Sequence, residues 1–119
     1  MLTTRLGYAL PRQIVEAGLE RPYRFAMEAA SETYQQLHEW NPHVASYIVP
    51  NGYNRRVLFT LNLREAFNFC QLRSAPNAHY SMRRVAQRVA EEIRRVHPLL
   101  ANYLHLPEET WQEIEKKHL

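Results

Sequence analysis

Apolar and polar residues alternate along this chain at two periods, and the changes between them mark out the elements. Leu10 to Gly18 reads as a short amphipathic helix, with Pro11 suited to its first turn and Gly18 to its end. From Pro22 onward, Phe25, Ala26, Ala29, Thr33, Leu37 and Trp40 recur at helical spacing and predict a longer helix. It stops at Asn41-Pro42, because proline disfavours a helical residue before it. The alanines on that face permit close packing. Pro42 to Val49 predicts one or two more helical turns, closed by the strong turn signal Pro50-Asn51-Gly52.

The period then shortens to two. Tyr53 to Leu61 places Val57, Phe59 and Leu61 on one face and Arg56, Leu58 and Thr60 on the other, and it is the one convincing strand. A lone strand does not stabilise itself, so pairing with a second copy or with a further portion of the fold is expected. Beyond the loop Ser74-Ala75-Pro76-Asn77, a long helix is predicted over Tyr80 to Val96. Its core stripe is Met82, Val85, Ala86, Val89, Ile93 and Val96, and Arg83, Arg84, Arg88, Arg94 and Arg95 lie elsewhere, to be paired with Glu91 and Glu92. Pro98 ends or bends this helix, Leu99 to Leu104 adds a turn, and Pro107 to His118 forms a last helix with acids early and lysines late, as the helix dipole favours. The expected fold class is α/β (α+β), mainly helical: one strand packed among four to five helices, in a single domain over residues 1–119.

The chemistry concentrates between the strand and the long helix, in Leu61-Asn62-Leu63-Arg64-Glu65-Ala66-Phe67-Asn68-Phe69-Cys70-Gln71-Leu72-Arg73. Asn62 and Glu65 have capping-box spacing, so a helix starts there. At ~100° per residue Arg64, Asn68 and Gln71 share a stripe, while Arg73 points the opposite way. Leu63, Ala66, Phe67, Cys70 and Leu72 fill most of the remaining circumference, which predicts burial on more than one side. One reading is structural, with Arg64 on a carboxylate and Asn68 on a backbone group. The other is an anion site, in which guanidinium groups offer paired donors to phosphate and the helix start adds its dipole.

These residues resemble the C-terminal half of the flavin-dependent thymidylate synthases. In that family a strand leads into an Asn-x-Arg-x-x-x-Asn-Phe/His helix ending in Leu-Arg, followed by a short loop and a long helix. Asn62, Arg64, Asn68, Phe69, Leu72 and Arg73 keep that spacing, and Ala45 and Ile48-Val49-Pro50 fall where the family has an alanine-arginine pair leading into a Leu-Pro ending. The resemblance runs over roughly Tyr23 to Pro98. It implies that Asn62, Arg64 and Asn68 lie against FAD, and that Arg73 reaches deoxyuridylate (dUMP) in a site shared with another subunit. It also implies a homo-oligomer that converts dUMP to dTMP with methylenetetrahydrofolate and reduced flavin. His79, at the start of the long helix, is a candidate contact for the nucleotide base or phosphate, beside a capping or packing role.

The chain departs from the family at three places. No Arg-His-Arg occurs in it, although that triplet is the family's signature for holding flavin and nucleotide. Ser46 stands where a nucleotide-binding arginine is usual, and a hydroxyl does not replace a forked cation against phosphate. After Arg73, Ala78-His79-Tyr80-Ser81 replaces Ala-Gln-x-Glu. Complete enzymes are roughly twice this length, so the missing half is expected from another chain or domain, and the resemblance does not make this chain a catalyst by itself. The alternatives are an assembly module that keeps the fold without catalysis, and nucleic-acid binding through the arginine-rich helix, which ranks last for want of a recognised reader motif.

Composition narrows this little. The formal charge of +3 is interspersed along the sequence, which suits small anions and requires no cationic platform. Cys70 is the one cysteine, so no internal disulfide exists, and it reads as a small buried hydrophobe. No apolar run is long enough for a membrane span, and the opening residues lack a signal-peptide core, so a cytoplasmic protein is expected. The six histidines form no His-x-x-x-His pair and no zinc pattern accompanies the cysteine, so no metal is expected.

Overall fold

The computed structural model describes residues 1–118. They group into two compact units, Met1–Leu58 and Phe59–Leu119.

The first unit is built on α2 (Glu20–Trp40), preceded by α1 (Arg12–Glu16) and followed by α3 (Pro42–Ala45) and a 3-10 turn, Ser46–Ile48. Gly18, at φ +69°, gives the left-handed residue that ends α1 and lets α2 start at once. Asn41 ends α2 and caps α3, its Oδ1 accepting from the His43 and Val44 amides at 3.0 and 3.3 Å. Met27, Tyr34, Ala45, Val49 and Tyr53 form the core, with Leu2, Tyr8, Tyr23 and Leu37 packed around them. The Tyr53 hydroxyl donates to the Met27 carbonyl at 2.5 Å, and Tyr23 donates to the Ala9 carbonyl at 2.8 Å. Gly52 passes so close to the Met27 methyl and the Tyr23 hydroxyl that a Cβ has no room there.

In the second unit α5 (Tyr80–Val96) is flanked by α4 (Leu63–Ser74), α6 (Pro98–Ala101) and α7 (Trp111–His118). Cys70, Ala90 and Leu104 form the buried centre, and Phe67, Phe69, Val89, Ile93 and Leu106 pack against it. The small residues Ala86 and Ala90 are fully buried, so α4 and α5 approach closely on that side.

Three expectations are corrected. The strand over residues 53–61 is not formed: among the described residues there is no strand or sheet, and the fold is mainly helical. The alternating pattern yields a single antiparallel bridge, Tyr8 to Tyr53, held by Ala9 N–H to the Gly52 carbonyl at 2.9 Å and Asn54 N–H to the Gly7 carbonyl at 2.8 Å. A ladder needs a second run of backbone, and the N-terminal segment provides one only as far as Asn54.

The second correction concerns α2. Its buried face is Tyr23, Met27, Tyr34 and Leu37, about a third of a turn round from the expected stripe and sharing only Leu37 with it, and Phe25 and Trp40 are 75% and 74% exposed. Tyrosines decide the side, because each brings a large ring plus a hydroxyl that finds a backbone carbonyl when buried, as Tyr23 and Tyr53 show. The third concerns burial of α4 and α5. Within α4 only Cys70 and Ser74 are buried, and Leu72 is exposed, so this helix is covered on one side. On α5 the buried residues are Ala86, Gln87 and Ala90, whereas Met82, Val85 and Val96 are exposed. The register turns because Gln87 lies in the core and donates to the Glu109 carbonyl.

Candidate functional site

The expected site residues sit on α4 and at the start of α5, all within the second unit. Asn62 forms a complete capping box: its Oδ1 accepts from the Glu65 amide at 2.9 Å, and its own amide donates to Glu65 Oε2 at 3.1 Å. This fixes the first turn of α4 and also places a carboxylate on the helix N-terminus. The dipole that was expected to draw a ligand anion there is thus already met by Glu65. Attraction for phosphate falls instead to Arg64, one residue inside the helix.

Arg64 and Asn68 line one open hollow of about 440 Å³ together with Leu63, Phe67 and Gln71. Leu63 and Phe67 are half-buried and give it an apolar floor, while the three polar side chains are exposed. Among the described residues neither Arg64 nor Arg73 has an ion pair, and Asn68 and Gln71 have no side-chain hydrogen bond. The structural alternative, with Arg64 held by a carboxylate, is not met by any of the described residues. A guanidinium and two amides beside an apolar floor fit a ligand that has both an anionic group and a flat ring.

Arg73 is nine residues beyond Arg64, about half a turn round the helix, and is not part of the hollow. His79 caps α5: its Nδ1 accepts from the Ser81 amide at 3.3 Å and meets the Ser81 hydroxyl at 2.8 Å. Its ring lies 4.2 Å from that of Tyr80, which in turn stacks on His118 at 4.5 Å. In the first unit Ser46 donates to the His43 carbonyl at 2.8 Å, a helix-end bond that holds no free charge. The structure therefore joins Arg64 with Asn68, turns the Asn62 oxygen into the cap, and leaves Arg73 and His79 on other surfaces.

The arginines of α5 have work that the sequence did not show. Arg83 pairs with Glu109 at 2.5 Å, Glu109 also takes Lys117 at 2.6 Å, and Arg84 pairs with Glu115 at 2.5 Å. Arg88 lies 5.2 Å over the Trp111 ring, whose Nε1 donates to Glu91 at 3.2 Å. Only Arg95 with Glu92, at 2.8 Å, is the expected pairing within the helix. The late acids and Trp111 were visible as helix formers, but a separation of 26 residues, as between Arg83 and Glu109, has no sequence signal. With two of its arginines fastening α7 and a third held by Glu109 just before it, the helix loses the free cationic face that nucleic-acid binding requires.

Lys117 bonding and the Arg83 charge hold the Glu109 carboxyl below the usual glutamate range. A depressed carboxyl stabilises the fold above its unfolded pKa of about 4.3 and stops doing so as pH falls through the lower folded value. Thermal unfolding between pH 6 and pH 3 should thus show the wild type losing more stability than Glu109→Gln, with the difference setting in below about pH 5 and growing as pH falls. Equal losses would remove Glu109 from the junction. Burial pushes the Cys70 thiol up, against an opposing pull from Arg94, as befits an inert buried hydrophobe. No group of three or more His, Cys, Asp or Glu able to hold a metal exists among the described residues, nor any helix long and apolar enough to cross a membrane.

Comparison with known proteins finds relatives of the chain by sequence. Residues 3–99 match the profile described as thymidylate synthase complementing protein. A UPF0159 protein of Chlamydia muridarum (strain MoPn / Nigg) is 40% identical over 104 residues, which covers 87% of this chain and 20% of the relative. The UPF0159 protein Ta1429 of Thermoplasma acidophilum is 39% identical over 105 residues, 87% of this chain and 21% of its own. A flavin-dependent thymidylate synthase of Sulfolobus acidocaldarius is 35% identical over 94 residues, 78% of this chain and 36% of its own. The chain thus spans about a fifth to a third of the length of these relatives. No solved structure matches it.

Proposed function

Since the chain belongs to the thymidylate synthase complementing protein family, we propose that it supplies one part of a flavin and nucleotide site, completed by a second copy or by a further domain. The observation that carries this is the hollow on α4, where Arg64 and Asn68 stand together without side-chain partners among the described residues. Arg64 takes a phosphate of FAD through its paired donors, and Asn68 bonds a polar edge of the cofactor. Asn62 keeps its side-chain N–H donors, because the cap uses only the oxygen. When bound, the flavin supplies the hydride chemistry for methylene transfer from a folate to dUMP.

Arg73 serves the other flank of α4 and holds the dUMP phosphate, with His79 as a contact at the start of α5. The absent Arg-His-Arg triplet and Ser46 leave this chain with fewer phosphate donors than the family pattern, so a neighbouring copy or domain provides the rest and catalysis belongs to the assembly. Fluorescence titration of the purified chain with FAD tests the reading. Saturable binding at or below about 1 mM is expected, equivalent to ~4 kcal/mol of affinity. A folded chain that leaves FAD free at that concentration would overturn the cofactor role. The fold would then stand as an assembly module, a use that the exposed Phe25 and Trp40 would suit.

A further inference from the structure

The geometry points to Gln71 as a specificity residue that reads the imide edge of a heterocycle whose phosphate rests on Arg64; this deepens the function proposed above and rests on it. Along the hollow the polar side chains come in a fixed order, Arg64, then Asn68 one turn on, then Gln71 a further turn on. Arg64 and Gln71 are separated by seven residues, about 10 Å along the axis at ~1.5 Å per residue. Charge falls along this line from a guanidinium to two neutral amides, while Leu63 and Phe67 keep the floor apolar. A ligand matched to it has an anion at one end and an uncharged flat ring at the other, about one nucleotide's length away.

The amide of Gln71 settles what that ring offers. It presents one acceptor oxygen beside two N–H donors, so it can make two parallel hydrogen bonds to a group in which an N–H adjoins a carbonyl. A cyclic imide has that edge, whereas a purely accepting or purely donating edge leaves half of the amide unmatched. The side chain is exposed and has no partner among the described residues, so none of them competes for the pair. The imide occurs both in the pyrimidine ring of a flavin and in uracil. The shared chemistry is therefore a phosphate joined to an imide-bearing ring, and binding measurements distinguish the two sources.

Wild type, Gln71→Ala and Arg64→Ala are titrated with FMN, with FMN methylated at the imide nitrogen, with riboflavin and with dUMP. On wild type, methylation should weaken FMN about tenfold, the scale of a lost bidentate contact. In Gln71→Ala, FMN itself should weaken about tenfold and methylation should bring no further loss. Arg64→Ala should weaken FMN but leave riboflavin, which lacks the phosphate, unchanged. If dUMP rather than FMN responds to Gln71→Ala, with the same dependence on Arg64, uracil is the ring that is read. Unchanged affinity of Gln71→Ala for both ligands, while wild type binds, would overturn the role of Gln71 and leave the proposed site standing. If wild type takes neither ligand, both fall together.

Discussion

Truncating Tyr53 to alanine costs the Met1–Leu58 unit about 3 to 5 kcal/mol, the scale of removing a buried aromatic ring and leaving a cavity. Tyr53 is 4% exposed, its ring meets that of Tyr8 edge-on at 5.5 Å, and its hydroxyl donates to the Met27 carbonyl at 2.5 Å in the middle of α2. One side chain therefore joins the N-terminal segment, α2 and the turn at Gly52. A natural domain holds only about 5 to 15 kcal/mol in total, so the loss removes a large part of the unit's stability. Tyr53→Phe keeps the ring and gives up one hydrogen bond, for about 1 kcal/mol. The two tryptophans separate the units, since Trp40 reports on the first and Trp111 on the second. Urea unfolding followed at each should show the Trp40 transition moved far to lower denaturant in Tyr53→Ala and little moved in Tyr53→Phe. Similar midpoints for both variants would mean that the ring does not anchor the unit.

Local signals carried through to the fold where they act locally. Pro50-Asn51-Gly52 makes the turn, Asn62 and Glu65 make the capping box, and Tyr80 to Val96 is helical as its periodicity predicts. What failed depends on partners distant in sequence. The alternation over residues 53–61 describes a pleated surface, but whether it becomes a strand depends on a neighbouring backbone, and Tyr8 meets it only at Tyr53. On α2, alanines and aromatics on one face are as regular as tyrosines and methionine on the other. Periodicity does not say which is buried; the carbonyls of Ala9 and Met27 do, by accepting the tyrosine hydroxyls. The hollow was legible in part, as the spacing of Arg64, Asn68 and Gln71 sets them on one stripe. That Glu65 would occupy the helix N-terminus followed from the same capping box, yet its consequence for an incoming anion emerges only with both hydrogen bonds in place.

Replacing Arg64 with alanine is expected to weaken FAD binding about ten- to a hundredfold, since hydrogen bonds to a charged group contribute ~1.5 to 3 kcal/mol. Arg64→Lys should recover only part of this, because an ammonium keeps the charge and loses the planar fork. The side chain is exposed and makes no ion pair among the described residues, so removing it leaves the fold intact and the whole loss is one of binding. Arg73, about half a turn away on the same rod, is expected to affect dUMP instead.

Dissociation constants of Arg64→Ala and Arg73→Ala, each for FAD and for dUMP, test this division directly. The account predicts a crossed result: Arg64→Ala loses FAD and keeps dUMP, and Arg73→Ala loses dUMP and keeps FAD. Equal weakening of both ligands by either variant, or no weakening by both, would contradict two ligands held on opposite flanks of α4.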